Sequence, residues 1–218
     1  ILEERREQWE KDYRAKYEAK GKDMPRYWKK RYSEPDDPDT EHLSPLPDGW
    51  TWTNVENACI VYGGVTKNAR KGGDLVEMPY LRVANVYANE LRLDEIKKIK
   101  VKRNRLYKYF LEEGDLLVVE GNGSKSQIGR VARWDGSVES CVHQNHLIKV
   151  RPIVKETGRY LLWWLLSPNG RRHITRVASS TSGLYTLSMT KVRSIPVPLP
   201  PLAEQKQIVA EIERLLSV

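Results

Sequence analysis

The chain has 218 residues, 39% of them hydrophobic, with a mean hydropathy of -0.63 and a formal net charge of +8. No apolar run is long enough to cross a membrane, and the opening ILEERREQWEK has no signal-like apolar core. Two cysteines, Cys59 and Cys141, are too few for a disulfide framework or a four-ligand zinc site and read as free buried thiols in a reducing cytosol. The charge is uneven. Residues 1–42 carry 11 Lys+Arg against 12 Asp+Glu, whereas residues 43–218 carry 26 against 17, so the basic excess lies in the second part and favours a polyanionic partner.

In chain order, residues 1–20 alternate charge signs and place Leu2, Trp9, Tyr13 and Tyr17 near one face of a helix. That narrow stripe suits packing on a partner helix and is too small to fold alone. Gly21 to Pro47, rich in Pro, Asp, Lys and Ser, reads as an extended linker holding the first helix away from the main domain or against a neighbour. The main core begins near LPDGWTWTNVENA, and strand-like runs follow at Ala58–Tyr62, Tyr80–Val86, Asp115–Glu120, Gly129–Arg133 and His146–Val150. Helices are expected at about 94–111, at Thr157–Leu166, whose YLLWWLL is core, and at Pro168–Ala178, with Arg171, Arg172 and Arg176 on an exposed face. Short strands mixed with a few helices give an α+β class without a regular βαβ rhythm.

At the end, Val192–Pro196 reads as a last strand, after which Pro198, Pro200 and Pro201 rule out a ladder or a helix interior. Pro201 suits the first turn of a helix and Glu204 its N-terminal charge. Gln205, Ile208, Val209, Ile212, Leu215 and Leu216 then follow a 3.6-residue period over about 18 residues, roughly 27 Å. No C-cap closes that helix, and the first residue is Ile1, which suggests a piece of a longer chain.

Catalytic machinery is hard to find. GGDL at 72–75 and EGNGSK at 120–125 do not continue into a phosphate loop, and SPNG at 167–170 is not an amino-methyltransferase tetrad. His143 and His146 form an HxxH on a strand-like stretch without a third ligand nearby. Asp115, Glu120 and Asn122 are the nearest thing to a magnesium nuclease, with asparagine where such a site wants lysine. Asp115 reads better as the turn residue that starts a buried strand.

The motifs LPDGWTWTNVENA, PYLRVANV, LEEGDLLVVEGNGSKSQIGRVARW, CVHQNHLIKVRP and SSTSGLYTLSMTKVRSIPVPLPPLAEQKQIVAEIE stand in an order that resembles a target recognition domain of type I restriction–modification specificity subunits. The resemblance covers residues 47–216, and the leading segment resembles the linker entering the second recognition domain of such subunits. It implies a curved mixed or antiparallel sheet with a few helices, flanked by terminal helices that pair as part of a coiled coil. The divisions would be a spacer helix at 1–20, a linker at 21–46, a recognition domain at 47–200 and the start of a distal spacer helix at 201–218.

The family implies a non-catalytic double-stranded DNA reader that directs methyltransferase and restriction (motor) subunits to one half of a bipartite target in the prokaryotic cytoplasm. S-adenosylmethionine, ATP and magnesium would belong to those partners, leaving no cofactor here. Leu2, Trp9, Tyr13, Ile208, Val209, Ile212, Leu215 and Leu216 would face partner helices, including those of a second copy. The alternatives are an assembly module with little DNA binding of its own, and a magnesium-dependent nuclease.

Phosphates call for Lys and Arg, and base edges for forked donors and acceptors. Lys67, Asn68, Arg70 and Lys71, between paired glycines, read as a loop entering a groove or as a solvated basic turn. Asn122, Ser124, Lys125 and Gln127 lie on a flexible loop that can approach phosphate or be an ordinary hairpin. Gln144 and Asn145 can pair with adenine or be structural. Ser180, Thr181, Ser182 and Tyr185 offer hydroxyls beside a glycine, and Arg82 and Asn85 either face DNA or brace the sheet.

Overall fold

The run Leu116–Val119 has no polar side to turn toward water, and the fold is built around that constraint. In the computed structural model, which describes residues 1–66, 74–181 and 183–216, all four side chains are at most 2% exposed. In chain order the elements are α1 (Leu2–Glu18), β1 (Thr51–Asn54), α2 (Val55–Ala58), β2 (Cys59–Gly63), β3 (Leu75–Leu81), β4 (Val86–Tyr87), β5 (Glu90–Leu91), β6 (Lys97–Lys102), β7 (Leu116–Val119), β8 (Gly121–Asn122), β9 (Val131–Arg133), β10 (Val142–His143) and β11 (Leu147–Pro152). After them come α3 (Thr157–Leu166), α4 (Pro168–Val177), β12 (Ser179–Thr181), β13 (Leu184–Thr186), α5 (Met189–Arg193), β14 (Pro196–Leu199) and α6 (Leu202–Leu216).

The central antiparallel sheet runs β2-β11-β7-β9, with Val150 opposite both Val61 and Leu116. Because side chains alternate across a strand, Leu116 and Val118 join one core with Tyr160, Leu161 and Leu165 of α3. Leu117 and Val119 join a second with Trp134, Leu81 and Leu147. Burying such side chains contributes roughly 1.5–3 kcal/mol each. A second sheet, β10-β3-β6, a third, β12-β13-β8, and the pairs β1-β14 and β4-β5 surround the first, giving the expected α+β class. Among the described residues no helix is long and apolar enough to cross a membrane.

Four expectations need correction. Residues 97–102 form a strand, not part of a helix: Ile99 and Val101 point inward while Lys98 and Lys100 point out, a period of two that pairs with β3. The strand expected over Tyr80–Val86 ends at Leu81, because Asn85 Oδ1 accepts from the Arg82 N–H (2.9 Å) and turns the chain. At the end, Met189–Arg193 is helical, capped by Ser188, and the last strand is Pro196–Leu199. Pro198 therefore does stand in a ladder, opposite Trp52. That ladder has two strands only, where a missing N–H is tolerated, and the proline carbonyls take hydrogen bonds from Tyr160 and Trp164.

The fourth concerns the terminal helices, which do not pack along one another among the described residues. Trp9 and Tyr13 of α1 are covered instead by the following segment: Trp28 stacks on both (5.9 and 5.6 Å between centroids) and the Tyr32 ring packs at a tilt against Trp9. Nor is α1 held away from the rest. Two turns apart on one face, Arg5 donates to the Cys59 carbonyl (3.0 Å) and Asp12 accepts from the Tyr62 hydroxyl. Helix α6 rests on α3 through Ile208 and Val209, with Trp50 Nε1 on Glu204 (3.1 Å) and Arg159 on Glu213 (2.8 Å). Ile212 is half-buried, and Leu2, Leu215 and Leu216 stay exposed.

Candidate nucleic-acid interface

Several loops named by the sequence converge on one edge. The stem of the 67–73 segment, Val65, lies between His143 and Asn145: its N–H donates to the His143 carbonyl (2.7 Å), and its carbonyl accepts from the Asn145 N–H (2.9 Å). Gly64 makes this approach possible, since a Cβ there would stand 2.3 Å from the Gln144 carbonyl oxygen. His146 then meets Glu120 (3.3 Å), whose chain runs into β8, and Asn122 pairs with Tyr185 of β13. Finally Arg171 of α4 donates to the Ser126 carbonyl (2.9 Å). The row thus runs from Val65 through 144–146 and 120–127 to the 179–185 hairpin and α4.

Gln144 and Asn145 anchor this row by their backbones. Their side chains are half-exposed and make no hydrogen bond among the described residues, so their amide forks are available. Ser124, Lys125 and Gln127 are exposed; Asn122 Oδ1 accepts from the Ser124 N–H (2.9 Å), which shapes the loop as an Asx turn. Ser180 is exposed on β12, the strand that also includes Thr181, whereas Tyr185 packs partly against the main core. Lys67, Asn68, Arg70, Lys71 and Ser182 lie outside the described residues.

Asn85 leaves the candidate interface. It is 3% exposed, and its amide donates to the carbonyls of Arg92 (2.7 Å) and Glu95 (3.2 Å), so it braces the turn. Arg82 is held by the Glu95 carboxylate (2.9 Å) and carbonyl (3.1 Å). The two histidines also part company. His143 is fully buried with Nδ1 on the Tyr109 carbonyl (3.1 Å), and burial, then the nearby Lys149 charge, push its pKa down to about 3. No group of three metal-ligating side chains occurs among the described residues.

Asp115, the would-be nuclease carboxylate, is 1% exposed and fully engaged. It takes Arg151 Nε (2.7 Å) and Nη2 (2.8 Å) and the Glu112 N–H (2.8 Å), which makes it the turn residue that starts β7. Beside it Lys149 is buried, donating to the carbonyls of Lys108 (3.2 Å) and Phe110 (2.7 Å); burial, then Arg151, push its pKa down to about 7. Cys59 and Cys141 are free and buried.

The sequence profile of the type I restriction modification DNA specificity domain matches residues 63–217. The chain belongs to that family. It is 27% identical over 169 residues to a putative type I restriction enzyme MjaX specificity subunit of Methanocaldococcus jannaschii (76% of this chain, 39% of that one). It is 30% identical over 174 residues to the StySPI specificity subunit of Salmonella potsdam (78% and 36%), and 28% over 159 residues to the EcoKI specificity subunit of Escherichia coli K12 (71% and 33%). This specificity domain thus spans less than two-fifths of the length of these curated relatives. Its fold is shared with the crystal structure of the HsdS subunit from Thermoanaerobacter tengcongensis (TM-score 0.57, 16% identity, 82% of this chain and 45% of that one). A structure described as the basis of complex assembly and conformational transition of a type I R-M system gives a TM-score of 0.54 at 18% identity, over 81% of this chain and 40% of that one.

Two features of the specificity domain escaped the sequence-based site. The Tyr87 ring is approached by two guanidinium groups, of Arg92 (3.9 Å) and Arg130 (4.8 Å), and Arg130 also holds Gln127 (3.3 Å). On β6, Lys98 and Lys100 project from the exposed face. The alternation K-x-K in KKIKVK was the available signal for the second. The first joins residues far apart in the chain and left none.

Proposed function

We propose that this chain recognises one half of a bipartite sequence in double-stranded DNA and directs methyltransferase and restriction subunits of a type I system to it. Family membership supports this reading, and the observation that carries it is the surface row in which the half-exposed, unused amides of Gln144 and Asn145 stand beside the polar 122–127 loop with its Lys125. Amide forks suit adenine edges in the major groove, and basic loops suit phosphate. The chain itself is non-catalytic and needs no cofactor; S-adenosylmethionine, ATP and magnesium serve the partner subunits, in the prokaryotic cytoplasm. Exposed Leu215 and Leu216 on α6 are the contact for a partner helix, including that of a second copy.

The test is methylation sequencing of DNA from cells carrying the complete system, with and without Gln144→Ala and Asn145→Ala. One half of the modified motif should relax or change, since a bidentate base contact is worth about 1–3 kcal/mol of discrimination, while the other half stays intact. An unaltered motif at normal modification levels would refute base reading by these residues.

A further inference from the structure

We infer that the cleft between α4 and the 123–127 loop is a seat for the DNA backbone, a phosphate clamp that carries affinity without reading sequence. The inference rests on the chain being a duplex-DNA binder and assigns a separate role to one part of its surface. Lys125, Ser126, Arg171, Arg172, Thr175 and Arg176 line a cleft of about 630 Å³. Its four cations make no ion pair among the described residues, whereas Arg82, Arg92, Arg103, Arg133 and Arg151 each hold a carboxylate.

This arrangement works against the stability of α4. Arg172 and Arg176 stand at i and i+4 on one face, a like-charge spacing that costs a helix a few tenths of a kcal/mol. Arg171 closes the first turn, where the helix dipole disfavours a cation and no acidic residue offsets it, although Arg176 in the last turn is placed favourably. His173 feels the same field: burial, then Arg176 and Arg172, lower its pKa. A polyanion relieves all of these repulsions at once.

The cleft is also built to hold its shape. Gly129, at φ +65°, lets the 127–129 turn close against α4, since a Cβ there would stand 2.5 Å from Ile174 Cγ2. Arg171, half-buried, ties α4 to the Ser126 carbonyl, and the Ser126 hydroxyl meets that of Ser124 (2.9 Å). A phosphate held by Arg172, Arg176 and Lys125 therefore sits at a fixed distance from the loop that carries Asn122 and Gln127.

The experiment measures binding of the chain to two labelled duplexes across a salt series: one selected by the chain from a randomised pool, and one with that sequence shuffled. Arg172→Gln with Arg176→Gln should weaken both duplexes by the same factor and lower the log–log salt slope by about 1.8, at roughly 0.9 per phosphate contact. The Arg172→Lys, Arg176→Lys pair should keep the wild-type slope, and the charge-matched Arg159→Gln, Arg214→Gln pair should leave affinity unchanged. Circular dichroism checks that α4 persists. Unchanged affinity and slope in the Gln pair, or a loss confined to the selected duplex, would overturn the clamp. A wild type that binds both duplexes equally would instead refute sequence recognition, and the slope would still decide the clamp.

Discussion

Arg151 grips Asp115 with two prongs, Nε on Oδ1 at 2.7 Å and Nη2 on Oδ2 at 2.8 Å, and the carboxylate is 1% exposed. The same arginine reaches Glu112 (2.6 Å) and the Phe110 carbonyl (3.2 Å), so the pair fixes the turn from which β7 enters the core. Three of the carboxylate's roughly four acceptor sites are thus taken by the turn and its arginine, which is the bonding of a structural residue.

Removing one member of such a pair strands the other. Asp115→Ala should destabilise the domain by up to about 3–5 kcal/mol in urea unfolding, because part-buried Arg151 loses its buried partner and keeps only the exposed Glu112 carboxylate and the Phe110 carbonyl. A loss below about 1 kcal/mol would mean that the pair is solvated and dispensable.

Gly129→Ala places a methyl 2.5 Å from Ile174 Cγ2 in a left-handed backbone conformation. Thermal unfolding should show a loss of roughly 1–3 kcal/mol, from strain and displacement of α4 together. An unchanged midpoint would show that α4 does not close on this turn.

Of the architecture, α3 and α4 were readable because the apolar block YLLWWLL stops at Ser167-Pro168, and Ser167 caps α4 through the Gly170 N–H (3.1 Å). The 97–102 strand was not, because a lysine-rich run with two β-branched residues fits either period until β3 supplies its partner. The docking of α1 was equally hidden, since Asp12 and Tyr62 are 50 residues apart and neither is apolar. Within the candidate site, exposed polar loops could be named from composition, but the internal use of Asn85 depends on where Arg92 and Glu95 carbonyls fall.

That docking gives its own test. Asp12→Ala removes the acceptor of the Tyr62 hydroxyl and should lower the local opening free energy of α1 by about 1.5–3 kcal/mol, read as faster amide hydrogen exchange over residues 5–18. Exchange as slow as in the parent chain would show that this contact does not hold the helix.

Lys149 makes stability pH-dependent with a definite sign. Its folded pKa of about 7 lies below the ordinary lysine value of 10.5, so between these limits the unfolded chain binds the extra proton and stability rises with pH. The penalty for burying the charge is complete below about pH 7 and fades toward pH 10.5. Buried Cys59 and half-buried Tyr62 titrate the opposite way at high pH, so the comparison is with Lys149→Met: the parent should gain on the variant from pH 7 to 9 in urea unfolding. A constant difference across that range would contradict a neutralised lysine.

Sequence recognition by this chain is read out by selecting its preferred ligand from a pool of randomised duplexes, followed by sequencing. One short continuous motif should be enriched, and a changed motif should emerge when the selection is repeated with Gln144→Ala and Asn145→Ala. Duplexes recovered without any enriched sequence, at salt where the chain binds them, would contradict sequence recognition.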